Sequence, residues 1–124
     1  MMGLLSGLLG NASEVNVEKL QQELSGILIP DERVEAGFQV LRDQFVFTDK
    51  RLILIDKQGL SGKKVEYKSI PYSSIKYFSV ETAGTFERDA DLKIHLTGTV
   101  ISKNLRKGID VVGLQRMLAY YILK

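Results

Sequence analysis

Residues 45–75 constrain the fold of this chain more than any other stretch, because they alternate apolar strand candidates with short polar turns. Two apolar segments flank a turn at residues 48–50, a glycine-punctuated turn follows at 59–62, and an alternating segment then runs to Pro71. Strands separated by such short turns pair with their neighbours in sequence. The pattern therefore predicts an antiparallel meander.

Apolar residues recur at helical spacing near both ends of the chain. An N-terminal helix is predicted over residues 13–28, where Ser13 or Asn16 can accept hydrogen bonds from first-turn amides. A C-terminal helix is predicted over residues 110–123, with Asp110 as its cap. The apolar stripe of the second helix consists of Val111, Leu114, Leu118 and Tyr121.

About seven short antiparallel strands are predicted between the helices, over residues 32–103. A sheet of that length would have two exposed edges unless it curls into a partly open barrel or two orthogonal sheets. The amphipathic C-terminal helix would then cap an open end. With 124 residues, the chain is expected to form a single α+β, mainly β, domain over residues 1–124.

Charge and composition argue against several classes of protein. The chain has 17 basic and 15 acidic residues, a balance that argues against nucleic-acid binding. The absence of cysteine excludes disulfides and thiolate metal sites. The apolar segment 1–12 has neither the leading Lys or Arg nor the long apolar run of a signal peptide, and it is too short for a membrane span. We therefore expect a cytoplasmic protein. A contact of this segment with a membrane or a neighbouring subunit stays open.

No group of residues indicates catalysis. His95 is the single histidine, and acid–base or nucleophilic chemistry requires a base beside a nucleophile. We expect His95 to be a solvent-facing strand residue, and we expect no enzymatic activity, cofactor or metal. Core and cross-strand packing is expected for the aromatic residues Tyr67, Tyr72, Tyr77 and Phe78.

One family resemblance rests on the same meander. It is carried by the segment 47–53, then Asp56 and Gly59, the segment 62–64, and the segment 68–72 followed by Ile75. This series resembles the bacterial pleckstrin-homology-like (PH-like) family of short stand-alone proteins. The resemblance implies a partly open barrel of seven strands with a C-terminal capping helix.

The resemblance also implies a function. Members of this family are known as structural domains that assemble into rings of higher cyclic symmetry. No enzymatic activity is established for them, and a protein-interaction role is the usual inference. Eukaryotic relatives of the fold often bind phosphoinositides through several basic residues near the loop between the first two strands. Here that loop offers Arg42 alone, beside the acidic Asp43.

Seven basic residues form a candidate interaction surface for an anionic headgroup or an acidic partner. The alternative is that lysines flank exposed hairpins and keep strand edges soluble. Asp49, Asp56 and Glu66 dilute the positive charge. The candidate residues are Arg42, Lys50, Arg51, Lys57, Lys63, Lys64 and Lys68.

The segment 52–55 has four consecutive apolar residues, so apolar side chains lie on both faces of one strand. One face can fill a barrel, and the N-terminal helix or a neighbouring subunit must cover the other. The family resemblance favours the neighbour, which makes Ile53 and Ile55 candidate oligomer contacts. We therefore expect a self-assembling scaffold, a cyclic homo-oligomer with five subunits as the family suggests, that also binds another protein. The alternative is a peripheral protein that binds anionic lipids weakly.

Overall fold

The computed structural model describes residues 15–40, 42–58, 63–82, 89–106 and 109–123. These residues fall into two compact units that divide between Pro71 and Tyr72. The elements in chain order are helix α1 (Val17–Glu23), strands β1 (Val34–Val40), β2 (Asp43–Thr48), β3 (Arg51–Gln58) and β4 (Lys64–Pro71), a 3₁₀ turn (Tyr72–Ser74), strands β5 (Tyr77–Thr82), β6 (Ala90–Leu96) and β7 (Thr99–Leu105), and helix α2 (Val111–Ile122).

The first unit contains a four-stranded antiparallel sheet in the order β1-β2-β3-β4. Side chains alternate between its two faces, and both faces of the central strand β3 are buried. On the inner face, the apolar side chains of Phe38, Phe45, Leu52 and Ile70 are all buried. Residues 52–55 are all apolar, and all four are buried.

Helix α1 packs on the opposite, outer face of the same sheet. Its residues Leu20 and Leu24 form a buried apolar cluster with Val46, Ile53 and Ile55. Asn16 caps the helix, because its side-chain oxygen accepts a hydrogen bond from the Lys19 N–H at 3.0 Å. The chain's own helix therefore covers Val46, Ile53 and Ile55 on the outer face of this unit.

Gly37 in β1 permits the close approach of α1. A β-carbon at this position would collide with Leu20 Cδ1 and would lie 3.2 Å from Val15 Cβ. The Val15 N–H also donates a hydrogen bond to the Gly37 carbonyl at 3.1 Å. The missing side chain therefore leaves the space that Leu20 fills.

The second unit contains the antiparallel sheet β5-β6-β7 and helix α2. Strand β6 alternates buried residues with exposed ones, as its sequence pattern predicts. Helix α2 contacts β5 and the 3₁₀ turn. Its buried residues include Val111, Leu114, Leu118 and Tyr121, and the ring of Tyr121 stacks on Tyr72 with centroids 4.9 Å apart.

The predicted fold class is confirmed, since the part of the chain that the structure describes has seven antiparallel strands between an N-terminal and a C-terminal helix. Several boundaries differ from the prediction. Helix α1 spans Val17–Glu23, whereas the predicted helix spanned residues 13–28, and the chain continues in turns. Strand β1 begins at Val34 and not at residue 32. Strand β7 extends two residues beyond residue 103, because Leu105 is buried and pairs with Ala90.

Candidate functional site

An ion pair with a buried carboxylate joins the turn before β1 to the start of β3. Arg51 Nε donates to Glu32 Oε2 at 2.8 Å, and Arg51 Nη2 donates to Glu32 Oε1 at 2.9 Å. The Glu32 side chain is 1% exposed and that of Arg51 is 21% exposed. The two planar groups thus form a bidentate pair, which is the strongest geometry available to these side chains.

Two further donors complete the hydrogen bonding of the Glu32 carboxylate. Thr48 Oγ1 donates to Oε2 at 2.7 Å, and the Ile29 N–H donates to Oε1 at 3.1 Å. Arg51 also donates through Nη1 to Ser69 Oγ and through Nη2 to the Ile27 carbonyl. This Glu32–Arg51 network links the turn after α1 to three strands of the sheet.

A tight turn places Glu32 in this position. The Glu32 N–H donates to the Ile29 carbonyl at 3.0 Å, which closes a four-residue turn. Pro30 fixes the second position of the turn, and Asp31 has a φ of 69° at the third, as a type II turn requires. Gln21 of α1 holds the following backbone, because it donates to the Glu32 carbonyl and accepts from the Val34 N–H.

The pKa of Glu32 is lowered from its ordinary value of 4.5. Burial alone raises this pKa, but the hydrogen bonds from Arg51, Thr48 and Ile29 and the charge of Arg51 outweigh burial. Glu32 is therefore ionised at neutral pH. Each of its oxygens already accepts two hydrogen bonds, so the arrangement suits a structural ion pair and not a general base.

A shallow groove of about 320 Å³ adjoins the network. Its lining combines the Glu32–Arg51 pair with Ile29, Lys50, Ser69 and Pro71. The charge of Arg51 is compensated by Glu32, and Lys50 lies 3.9 Å from the Asp49 carboxylate. The groove therefore does not present a concentrated positive charge.

The structure divides the seven basic residues that the sequence singled out between the two ends and the two faces of the four-stranded sheet. The prediction that Arg51 belongs to a basic surface is wrong, because its guanidinium is bound to the buried Glu32 carboxylate. Lys68 forms a surface ion pair with Glu66 at 3.1 Å. Lys57 and Lys64 point to opposite faces of the sheet, because Lys57 pairs with Val65 while Lys64 pairs with Gln58.

Arg42 and Lys63 lie at the end of the sheet that also carries Lys57 and Lys64, because the β1–β2 connection, the end of β3 and the start of β4 share that end. Arg42 is exposed in the two-residue connection between β1 and β2, and Asp43 begins the next strand. Lys63 is exposed just before β4. The glycine-punctuated turn at residues 59–62 lies outside the described residues, as does the apolar segment 1–12. Among the described residues, no helix has the length and apolar character needed to cross a membrane.

Ile53 and Ile55 require a second correction. Both are buried in the apolar cluster beneath α1, so the helix covers them and not a neighbouring subunit. They are core residues of the first unit and do not form a surface for an oligomer contact. The sequence left both coverings open, and the family resemblance favoured the wrong one.

Exposed apolar side chains instead lie at other positions in each unit. Ile27 and Ile29, in the turns after α1, are 42% and 54% exposed, and we call these two residues the turn patch. Tyr77 and Val100 of the second unit are 54% and 46% exposed, and we call these two residues the sheet patch. His95 lies between them on β6, because it pairs with Tyr77 on one side and with Val100 on the other.

The aromatic predictions are confirmed in part. The Tyr77 ring stacks on His95 with centroids 3.9 Å apart, and Tyr72 stacks on Tyr121. Tyr67 is instead 50% exposed on β4. His95 is partly exposed on its strand, and its ring stacks on the ring of Tyr77.

Sequence reasoning missed the role of Glu32, which it used only as a strand boundary. A signal was present in the Pro30-Asp31 turn, which directs the next side chain back toward the sheet. The partner could not be deduced, because Arg51 lies 19 residues away and resembles the lysines beside it.

Comparisons with known proteins agree with this fold. A family model described as bacterial PH domain matches residues 3–122. The crystal structure of a pleckstrin homology domain from Shewanella amazonensis SB2B is 54% identical, covers 98% of this chain and 100% of that chain, and has a TM-score of 0.84. A DUF1696 family protein with a pleckstrin-homology domain from Shewanella loihica PV-4 is 53% identical, with 91% and 98% coverage and a TM-score of 0.75.

A relative in Bacillus subtilis (strain 168), the uncharacterized protein YjqA, is 52% identical over an alignment of 121 residues. The alignment covers 95% of this chain and 97% of that protein. Two antiparallel sheets with a helix at each end of the chain define a PH-like domain, as the structural neighbours show. The chain belongs to the bacterial PH domain family.

Proposed function

We propose that this protein is a non-enzymatic, cytoplasmic interaction module that assembles into a cyclic homo-oligomer and presents its polar surface to another protein. The observation that carries the proposal is the presence of two different exposed apolar patches, the turn patch in the first unit and the sheet patch in the second. A head-to-tail contact joins two unlike patches and closes into a ring when the rotation permits. Five subunits are proposed from the family resemblance.

The lipid-binding alternative has less support from the geometry. Arg51 is bound to Glu32, Lys68 to Glu66, and the lysines of β3 and β4 point to both faces of the sheet. An anionic membrane would meet separate charges, each worth about 1 kcal/mol near the surface. Co-sedimentation with anionic liposomes that is lost at high salt would favour this alternative.

A complementation experiment tests the head-to-tail contact. Ile29→Glu places a charge in the turn patch, and Tyr77→Glu places a charge in the sheet patch. Each variant alone should therefore be monomeric. A mixture of the two variants retains one intact pair of patches and should yield a heterodimer. Lys93→Glu, at an exposed position two residues before His95 on the same face, is the matched control and should assemble normally. Normal assembly of both patch variants would contradict the proposed contact.

A further inference from the structure

The outer edge of β4 has the sequence of a strand that can pair with itself. β4 is the last strand of its sheet, and within the described residues its ladder partner is β3. Most of its residues are exposed, including Val65 and Tyr67. An edge strand of this kind offers a row of backbone donors and acceptors to an additional strand.

We propose that the edge of β4 pairs antiparallel with the β4 edge of a second copy of this chain, with Tyr67 of each copy opposite Tyr67 of the other. This contact rests on the proposed self-assembly and adds a two-fold contact to the head-to-tail one. It joins two rings or, without a ring, two single chains.

Charge complementarity identifies the occupant of the edge as a second copy. With Tyr67 at the centre, Glu66 of each copy lies opposite Lys68 of the other. The two residues already form an ion pair within one chain, with Lys68 Nζ 3.1 Å from Glu66 Oε1. Pairing would therefore create a square of four alternating charges on one face. Cross-strand pairs of opposite charge stabilise a sheet, and like charges directly opposite destabilise it.

A repulsion within the subunit points in the same direction. Asp56 of β3 lies directly opposite Glu66 of β4, so two carboxylates are neighbours in the sheet. Lys68 of a second copy would reach Glu66 from the other side and offset this repulsion. The opposite face of the contact would hold Tyr67 at the centre, with Val65 of one copy beside Ser69 of the other.

Other registers fit less well. A two-fold axis relates the two copies, and directly opposite side chains of antiparallel strands lie on the same face of the sheet. The axis must therefore pass between two copies of the same residue, and that residue is the centre of the contact. A centre at Glu66 or Lys68 places like charges opposite each other. A centre at Val65 pairs Lys64 with Glu66, but it pairs Lys68 with residue 62, beyond the end of β4. The Tyr67 register pairs seven consecutive residues of the strand, 64–70, and places Glu66 opposite Lys68 without opposing like charges.

A charge-reversal experiment tests both the partner and the register. Glu66→Lys and Lys68→Glu each place like charges opposite each other twice in the contact, so each variant should weaken self-association roughly tenfold. An equimolar mixture of the two variants restores opposite charges and should recover association, as should the double variant. Circular dichroism verifies that the exposed substitutions leave the fold intact. A register centred on Val65 would instead leave Lys68→Glu unaffected.

Cysteine cross-linking tests the geometry independently, because the chain has no native cysteine. Oxidation of Tyr67→Cys should give a disulfide-linked pair of chains, since directly opposite strand residues have β-carbons about 4.5–5.5 Å apart. Lys57→Cys is the matched control, because it is exposed on the same face but lies one strand further from the edge. It should cross-link at least tenfold more slowly.

The outcomes separate this inference from the proposed function. An assembly that persists in both charge variants, with equal cross-linking of the two cysteine variants, would overturn the β4 contact and leave the head-to-tail ring standing. Loss of assembly in Ile29→Glu together with continued cross-linking of Tyr67→Cys would support the β4 contact. A monomer at high concentration, with slow cross-linking of both cysteine variants, would overturn both proposals.

Discussion

At the scale of single residues, the stability of the first unit depends on Glu32. Its carboxylate accepts four hydrogen bonds from Arg51, Thr48 and Ile29, and its side chain is 1% exposed. Breaking a buried pair by changing one partner leaves the other charge uncompensated. The hydrogen bonds of Glu32 to Arg51, Thr48 and Ile29 therefore stabilise the fold.

Glu32→Gln should lower the free energy of unfolding by about 3–5 kcal/mol at neutral pH, because Arg51 loses its counter-charge in a buried site. Urea denaturation followed by circular dichroism measures this loss. Lys68→Gln is the control, since it breaks an exposed pair and should cost less than about 1 kcal/mol. Equal losses in the two variants would show that the buried pair is not stabilising.

The stability difference between the unmodified protein and Glu32→Gln should depend on pH. The pKa of Glu32 is lower in the folded chain than its ordinary value of 4.5, so the stabilisation is complete above that pH. It is lost as the pH falls through the folded pKa. The difference in stability between the unmodified protein and Glu32→Gln should therefore shrink on acidification. A difference that stays constant down to acid unfolding would contradict the assignment.

At the scale of elements, the alternation of apolar and polar residues was sufficient to predict the strands and both helices. It could not decide what covers the outer face of β3, because periodicity shows that Ile53 and Ile55 are buried but not by which partner. The deciding residue is Gly37, whose lack of a side chain admits Leu20. A glycine in a strand signals a close approach, but the sequence does not say of what.

Gly37→Ala should destabilise the protein by about 1–3 kcal/mol, because the new methyl group occupies the space of Leu20. Gly26→Ala is the matched control, since a β-carbon there meets no atom within 4 Å. Its effect should stay within about 0.5 kcal/mol. Denaturant midpoints compare the two variants, and a tolerated Gly37→Ala would mean that α1 can shift from the sheet without cost.

Helix α2 gives a second test at this scale. Leu118 is fully buried in the second unit, so Leu118→Ala should cost about 2–5 kcal/mol. Val112, which is exposed on the same helix, provides the control, and Val112→Ala should change stability by less than about 1 kcal/mol. A loss below about 0.5 kcal/mol for Leu118→Ala would indicate that the stripe does not stabilise the fold.

At the scale of the whole molecule, the family resemblance and the strand pattern predicted the PH-like fold, but the candidate site was predicted poorly. The basic residues were grouped by proximity in sequence, whereas pairing in the sheet sends Lys57 and Lys64 to opposite faces and assigns Arg51 to Glu32. The exposed patches were missed because Ile29, Tyr77 and Val100 belong to patterns that usually indicate a core. Which apolar residues remain exposed depends on tertiary packing.

The most direct test of the proposed self-assembly is the mass of the intact particle in solution, measured by sedimentation equilibrium over a range of protein concentrations. One chain has a mass of 13.9 kDa. The proposal predicts a particle that contains several chains and persists at high salt, because the patches are apolar. Five chains, or ten where two rings pair through β4, are the expected numbers. A monodisperse monomer at high concentration would contradict the account.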